Sequence, residues 1–182
     1  IERSKPNNYS AWEYYMRSLK VFYEKSTKDR EDKNLNEARE FCEKAIEKDP
    51  LFSLAYSMLA KINHSELIRF AKEDSDAILD EMFENASKAA ELDPQNPESS
   101  VMLSTYYFFK GDFTFSQNHA EKAVELNPSN PEAYMRLGLS MIHQGDYENS
   151  EEFVRKSIEI DPLDPKIVRR KIPYLSLIHI SE

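Results

Sequence analysis

The sequence predicts an all-α fold, an α-solenoid of antiparallel helical hairpins. The first observation is an internal repeat, because residues 95–128 and 129–162 are two copies of one unit of 34 residues. A fixed period of this length is typical of stacked repeats and not of a closed domain. The second observation is composition, since the 182 residues include only three glycines and 12% aromatic residues, which favours helices throughout. No stretch indicates a sheet.

Each copy is predicted to form a helix, a tight turn, a second helix and a stop. In the first copy, Asn96 stands at an N-cap position and Pro97 follows where proline loses no hydrogen bond. Gly111 stands where a helix ends in a left-handed residue, and Asp112 can then cap the second helix. That helix ends before Pro128, because the residue before proline is driven out of the α region. The second copy repeats these signals at Asn130, Pro131, Gly145, Asp146 and Pro162.

A first, less regular hairpin is predicted upstream. Residues 8–23 have apolar side chains at the i, i+3, i+4 spacing of an amphipathic helix. The charged stretch 24–33 has no apolar face and is predicted to be a loop. Asn34 and Glu37 resemble a capping box, which would start the second helix and carry it to Pro50.

The second hairpin is predicted from Ser53 onward. Its first helix covers SLAYSMLAKI, residues 63–75 form a stretched turn, and residues 76–92 form a longer second helix. The prolines that close the four units, at 50, 94, 128 and 162, are 44, 34 and 34 residues apart. Repeats one and two are therefore elongated, and repeats three and four are compact.

These units resemble the tetratricopeptide repeat, with small residues retained where helices must approach closely. The signature positions that match are Tyr134, Leu137, Gly138 and Pro162 in the last copy, and Leu103, Tyr107, Ala123 and Pro128 in the copy before it. Serine occupies several positions where the family has another residue: Ser100, Ser104, Ser116, Ser150 and Ser157. The resemblance implies a right-handed superhelix of four hairpins, whose first helices line a concave groove.

The predicted organisation follows the chain from an upstream linker to a terminal tail. The segments are a linker at 1–7, elongated repeats at 8–50 and 51–94, compact repeats at 95–128 and 129–162, and a further helix or cap at 163–174. The last segment, 175–182, reads LSLIHISE and resembles a translated sequencing-library adapter, so we expect a non-native tail on a fragment of an environmental gene. A short apolar tail is the alternative.

Composition and missing motifs exclude several function classes. The net charge of −9 and a pI near 5.1 disfavour binding to nucleic acid or to an anionic membrane. The chain has no phosphate-binding loop, no HExxH, no CxxC and no GxSxG, so we expect no catalytic residues, no cofactor and no metal. A single cysteine is compatible with a reducing, cytoplasmic compartment.

Three residues invite a chemical interpretation. Cys42 could be a nucleophile, but it falls on a helix-packing position and is expected to be a small core residue. His119 and His143 fall on different helices, on the outside and in the groove respectively. A metal pair would require the fold to bring them together.

The remaining candidate is a surface. The resemblance places a set of large, mostly apolar residues on or near the groove: Val101, Met102, Thr105, Phe108, Phe109, Met135, Arg136, Leu139, Ile142 and His143. One interpretation is a groove that takes an amphipathic helix or an extended peptide. The alternative is that neighbouring helices cover these side chains.

The sequence also bears on one ligand class, peptides held by their terminal carboxylate. Tetratricopeptide co-chaperones hold a peptide's terminal carboxylate with lysine, asparagine and arginine on three first helices. The corresponding positions here are Ser57, Lys61, Met102, Glu132 and Arg136. Only Arg136 matches and Glu132 has the wrong sign, so this clamp is not expected in that register.

A broader resemblance covers the repeats as a set. ERSKPNNYSAWEYYMRSL, two elongated repeats and then compact ones are similar to the C-terminal tetratricopeptide region of bacterial class III nucleotide cyclase-like proteins and of winged-helix regulators. The resemblance implies a protein-interaction arm of a bacterial signalling or regulatory protein. The alternatives are a regulatory region of a nucleotide cyclase and a self-association module that forms homo-oligomers.

Overall fold

The computed structural model describes residues 8–24, 28–70 and 75–162, which form eight α-helices and no strand. The helices are α1 Tyr9–Tyr23, α2 Lys28–Lys48, α3 Ser53–Phe70, α4 Ser75–Leu92, α5 Pro97–Phe109, α6 Phe113–Leu126, α7 Pro131–His143 and α8 Tyr147–Ile160. The predicted all-α fold of helical hairpins is confirmed. Each predicted repeat contains one pair of these helices, while the segments predicted at 1–7, 163–174 and 175–182 lie outside the described residues.

The chain divides into two compact units, Ile1–Met102 and Leu103–Glu182. The first, called unit 1, has a core in which small residues allow α1, α2 and α3 to approach closely. Its fully buried members include Ala11, Ala45 and Ala55, with Phe52 filling the space beside them, and Ala38. The larger side chains Met58 and Ile62 of α3 pack with Cys42 of α2.

The second unit, called unit 2, packs α6, α7 and α8 in the same manner. Ala120, Leu137 and Met141 form its buried centre. Ser116 stands at a fully buried position and its hydroxyl donates to the Ser104 carbonyl at 2.9 Å. The same oxygen lies 2.7 Å from the Ser140 hydroxyl, so one serine joins three helices. The small serines therefore keep close helix contact, as predicted.

The helix starts are set by local capping. The Asn130 side chain accepts hydrogen bonds from the amides of Glu132 and Ala133 at 3.0 and 3.3 Å. Asp112 and Asp146 cap α6 and α8 by accepting from amides three residues on. These contacts satisfy amides that a helix start leaves without a partner, and they confirm the predicted caps.

The two predicted glycine turns are left-handed. Gly111 has φ of 78° and Gly145 has φ of 84°. After α5, the Gly111 amide donates to the Phe108 carbonyl at 3.1 Å and the Asp112 amide donates to the Tyr107 carbonyl at 2.9 Å. This pair of bonds is the Schellman motif, which closes a helix and turns the chain back.

Two predictions about unit 1 are wrong. The stretch 24–33 was predicted as a loop, but α2 already begins at Lys28. Asn34 therefore lies inside α2 and is no cap; its Nδ2 donates to the Val21 carbonyl at 3.4 Å. The predicted turn at 63–75 is also mostly helical, because α3 continues to Phe70. Neither stretch contains proline or glycine, the two residues that most disfavour a helix.

Candidate peptide-binding surface

Aromatic rings from three helices of unit 2 meet where α5 and α7 end and α6 begins. The Phe113 ring stacks on the His143 ring with centroids 4.5 Å apart. Phe108 meets both edge-on, at 5.6 Å from Phe113 and 5.0 Å from His143. The Schellman turn after α5 places Phe108 and Phe113 on either side of Gly111, which explains how residues five apart in sequence come together.

Phe109 extends this group toward solvent. Its ring centroid lies 6.1 Å from that of Phe108, and the residue is 43% exposed. His143 is also exposed. We call Phe108, Phe109, Phe113 and His143 the aromatic patch. It presents ring faces and edges to water on unit 2.

One arginine borders the patch. The Arg136 guanidinium carbon lies 5.9 Å from the Phe108 ring centroid, within the range of a cation–π contact. Its Nε and Nη2 both donate to Glu132 Oε1, at 3.1 and 2.9 Å. Because this carboxylate neutralises a side chain that is only 10% exposed, the patch has no uncompensated positive charge at Arg136.

The structure separates the ten predicted groove residues into three groups. Val101, Met102, Thr105 and Met135 are buried, at 0 to 5% exposure, so they serve packing and offer no accessible surface. Leu139 and Ile142 are half-buried and pack against the Met135 and Val154 cluster. The remaining four are Arg136 and three members of the aromatic patch: Phe108, Phe109 and His143.

Phe113 was missed by sequence reasoning. It begins α6, a second helix, whereas the groove was predicted from first helices alone. The available signal was its position directly after the Asp112 cap. A residue there lies beside the end of the preceding helix.

Unit 1 contains a separate cavity of about 160 Å³ that sequence reasoning did not find. Its lining comes from α1 (Tyr15, Leu19, Tyr23), α3 (Leu54, Ser57, Met58, Lys61) and the first turn of α5 (Glu98). The Lys61 ammonium donates to Glu98 Oε1 at 2.6 Å, and both side chains are 27% exposed. Burial is the largest single influence and lowers the pKa of Lys61, but the charge and hydrogen bond of Glu98 together with those of Tyr23 outweigh it, so the pKa is raised. Lys61 is therefore charged and already paired.

Cys42 is a core residue, as predicted. It is fully buried, and its Sγ lies 2.9 Å from the Ser18 hydroxyl. Burial raises the pKa of the thiol to about 12, although the Ser18 hydrogen bond and Arg39 oppose this rise. Such a thiol holds almost no thiolate at neutral pH, so Cys42 is not an activated nucleophile.

The two histidines belong to different aromatic groups. His119 stacks on Tyr107 with centroids 5.4 Å apart, while His143 stacks on Phe113. Across residues 8–24, 28–70 and 75–162, no three His, Cys, Asp or Glu side chains are grouped so as to hold a metal ion.

Among the helices that the structure describes, none is both long enough and apolar enough to cross a bilayer.

Comparison with known proteins places the fold. The tetratricopeptide repeat family model matches residues 101–165, and no curated protein matches the chain. PilF of Pseudomonas aeruginosa aligns with a TM-score of 0.69 at 17% identity, over 94% of this chain and 69% of PilF. The tetratricopeptide protein YrrB, described as having an unusual peptide-binding site, aligns with a TM-score of 0.58 at 18% identity, over 94% of this chain and 77% of YrrB.

A third structure was solved with a ligand. The first tetratricopeptide domain of Spaghetti (RPAP3), bound to the HSP90 peptide SRMEEVD, aligns with a TM-score of 0.55 at 18% identity, over 69% of this chain and 91% of that chain. Identities this low show a shared fold and nothing finer. The chain is a helical-repeat protein with the tetratricopeptide-repeat fold, and residues 101–165 match the repeat family itself.

Proposed function

We propose that this chain is a protein–protein interaction module and that the aromatic patch of unit 2 binds an apolar peptide segment of another protein. The observation that carries the proposal is the exposed Phe109, at 43%, whose ring contacts that of Phe108. The Phe108 ring in turn contacts the exposed His143. Contiguous exposed apolar surface marks interaction sites, and aromatic side chains dominate the binding energy of many interfaces.

The character of the patch favours an apolar ligand over an acidic one. Arg136 is paired with Glu132, so it offers no uncompensated positive charge to a carboxylate. Met102, which falls on another clamp position, is 1% exposed. An HSP90 peptide bound to the Spaghetti domain is a precedent for peptide binding by this fold, but these residues do not support the same acidic ligand here.

The wider role follows from the resemblance of the sequence to bacterial regulators. We propose that the module is the cytoplasmic sensory or assembly arm of a bacterial signalling or regulatory protein. The alternatives are regulation of a nucleotide cyclase and self-association. Reading the gene toward its start distinguishes a winged-helix regulator from a nucleotide cyclase, because a cyclase carries metal-binding aspartates and a winged helix carries a basic recognition helix.

The binding proposal is tested by peptide display followed by affinity measurement. Peptides selected on the wild-type chain are labelled, and their affinity is measured by fluorescence anisotropy. We expect Phe109→Ala with His143→Ala to weaken the selected peptides at least about tenfold, since buried aromatic anchors each contribute 1 kcal/mol or more. Tyr147→Ala is the matched control, because Tyr147 is 44% exposed and outside the patch.

Equal affinity for the wild type and the double variant would refute the patch as the binding site. Loss of binding in the Tyr147→Ala control as well would show that the measured loss is not specific to the patch. Phe109→Ala with Leu139→Ala is a weaker test, because Leu139 packs against the core residues Met135 and Val154. Self-association is tested by light scattering at several protein concentrations. It predicts a molar mass that grows with concentration for the wild type and is lower for Phe109→Ala at the same concentration.

A further inference from the structure

The cavity of unit 1 has paired charges on its wall. Lys61 supplies an ammonium and Glu98 a carboxylate, with 2.6 Å between Nζ and Oε1. The ammonium also lies 5.8 Å from the Tyr23 ring centroid. Because the two charges cancel, an anion entering the cavity meets Glu98 and a cation meets Lys61. Either ion would approach a like charge in a partly dry site, which is costly.

Some hydrogen-bond donors and acceptors of the cavity wall remain unused after the pair has formed. An ammonium has three donors, of which one goes to Glu98 Oε1 and a second interacts with the Tyr23 side chain. One ammonium donor and one oxygen of the Glu98 carboxylate therefore remain. Ser57 is 2% exposed and its hydroxyl oxygen accepts from Asn96 Nδ2 at 2.7 Å, which leaves its own proton to donate. The Tyr15 hydroxyl has no hydrogen-bond partner among the described residues.

Tyr15 is buried beside the pair. Burial raises the pKa of its phenol to about 12, with the Glu98 charge acting in the same direction. The phenol therefore keeps its proton at any physiological pH and acts as a neutral donor and acceptor.

The rest of the wall is apolar. Leu19, Leu54 and Met58 line it together with the two tyrosine rings. About 160 Å³ is below the range of about 300–1,000 Å³ typical of small-molecule pockets, so the cavity suits a single side chain.

We infer that this cavity recognises the uncharged carboxamide side chain of a glutamine in a peptide segment of a partner protein. A carboxamide presents an acceptor oxygen and two N–H donors on one planar group. Its oxygen accepts from Lys61 or Tyr15 while its amide donates to Glu98. The two methylenes of glutamine lie against Leu54 and Met58. The uncharged carboxamide thus finds both a donor and an acceptor in a wall with no net charge. A carboxylate would face Glu98 and an ammonium would face Lys61, so neither charged group fits as well.

This inference rests on the proposed function only in assuming that the ligand belongs to a peptide. It uses residues of unit 1, whereas the aromatic patch lies in unit 2. The two can therefore fail separately.

The test is a methyl NMR titration of the full chain labelled at its six methionines, with Met58→Leu assigning the Met58 signal. The probes are the N-acetyl methylamides of glutamine, glutamate, ornithine and norleucine. We expect the glutamine probe to shift the Met58 methyl saturably, and the two charged probes to bind at least about tenfold more weakly, as the loss of one charged hydrogen bond implies. The norleucine probe measures what the apolar wall contributes alone and should also bind more weakly.

Two variants change the charge of the wall: Glu98→Gln keeps the size of the side chain, and Lys61→Gln also shortens it. Glu98→Gln leaves Lys61 unneutralised, so the glutamate probe should gain at least about tenfold relative to the glutamine probe. Lys61→Gln leaves Glu98 alone and should favour the ornithine probe in the same way. Phe109→Ala should leave all four titrations unchanged, which keeps this test separate from that of the aromatic patch.

Three results would overturn the inference. The first is a Met58 methyl that does not respond to the glutamine probe. The second is a norleucine probe that binds as well as glutamine. The third is an unchanged order of probes in both charge variants, each shown by circular dichroism to be folded.

Discussion

Gly138 of α7 lies directly against Val154 of α8: a Cβ built on Gly138 would come within 2.6 Å of Val154 Cγ2 and 3.1 Å of the Ser150 carbonyl oxygen. Val154 is fully buried and cannot turn its methyl toward solvent. We therefore expect Gly138→Ala to lower the free energy of unfolding by about 1–3 kcal/mol, as overpacking does. In an open helix the same change would stabilise by about 1 kcal/mol. Urea unfolding followed by circular dichroism measures the sign.

The partner residue supplies the control. Val154→Ala removes the methyl that the new Cβ would meet, so the double variant should lose less than the sum of the two single variants. Gly111→Ala is a contrasting case, because no atom lies within 4 Å of its built Cβ and its φ of 78° makes the cost purely one of backbone strain. A Gly138→Ala protein more stable than wild type would contradict the close packing of α7 on α8.

Arg39 holds two carboxylates on unit 1. Its Nη2 donates to Glu66 Oε2 at 2.7 Å and its Nη1 donates to Glu81. Arg39 is 20% and Glu66 14% exposed, so Arg39→Gln should lower the free energy of unfolding by about 1.5–3 kcal/mol. Arg155→Gln is the matched control: its pair with Glu159 is about half exposed on both sides, and we expect a loss of only about 0–0.5 kcal/mol. Urea unfolding at pH 7 compares the two.

The same variant has a predicted pH dependence. Burial raises the pKa of Glu66 above its ordinary value, and Arg39 opposes that rise. Without Arg39 the pKa of Glu66 in the folded protein rises further. The charged, buried carboxylate then lowers the free energy of unfolding above that pKa, and this loss is relieved as the pH falls through it and the carboxylate is protonated. The stability deficit of Arg39→Gln should therefore be smaller at about pH 4.5 than at pH 7. An equal deficit at both would show that the Glu66 charge is not responsible.

The Arg39 contacts illustrate which features of the fold could not be predicted from the sequence. The helices of the two compact repeats were predicted correctly because caps, prolines and left-handed glycines act within a few residues of each helix end. The continuation of α3 to Phe70 was missed, since the polar residues 63–66 interrupt the apolar pattern before Leu67, which is buried again. Glu66 lies in that continuation and pairs with Arg39 of α2. A polar contact between distant residues leaves no periodic signal in the sequence.

The candidate site, too, could be predicted from the sequence only in part. Repeat register placed Phe108, Phe109 and His143 on first helices, and the structure brings Phe108 and His143 into ring contact. Register could not distinguish buried Thr105 from exposed Phe109, because burial depends on which helices are neighbours in space. It also could not find the cavity of unit 1, whose lining combines residues from three helices.

Cys42 should be protected from alkylation in the folded protein. A thiol with its pKa raised to about 12 by burial has roughly a thousandth of the thiolate of an ordinary cysteine at pH 8. Labelling with iodoacetamide should thus be slow in native buffer and fast in concentrated urea. Because the chain has one cysteine, mass spectrometry reports the labelled fraction without ambiguity. Rapid labelling of folded protein would place Cys42 outside the core.

His119 should make unit 2 less stable in mild acid. Burial lowers the pKa of this imidazole, with Lys122 acting in the same direction. The unfolded chain then binds the proton at a higher pH than the folded one, so the contribution to stability is full above about pH 6.5 and is lost as pH falls below that ordinary value. We expect the free energy of unfolding to fall more between pH 7.5 and 5.5 in the wild type than in His119→Gln. Because the other titrating groups are common to both proteins, the difference in slope isolates this residue. A His119→Gln slope equal to that of the wild type would show that the imidazole stacked on Tyr107 titrates alike in the folded and unfolded states.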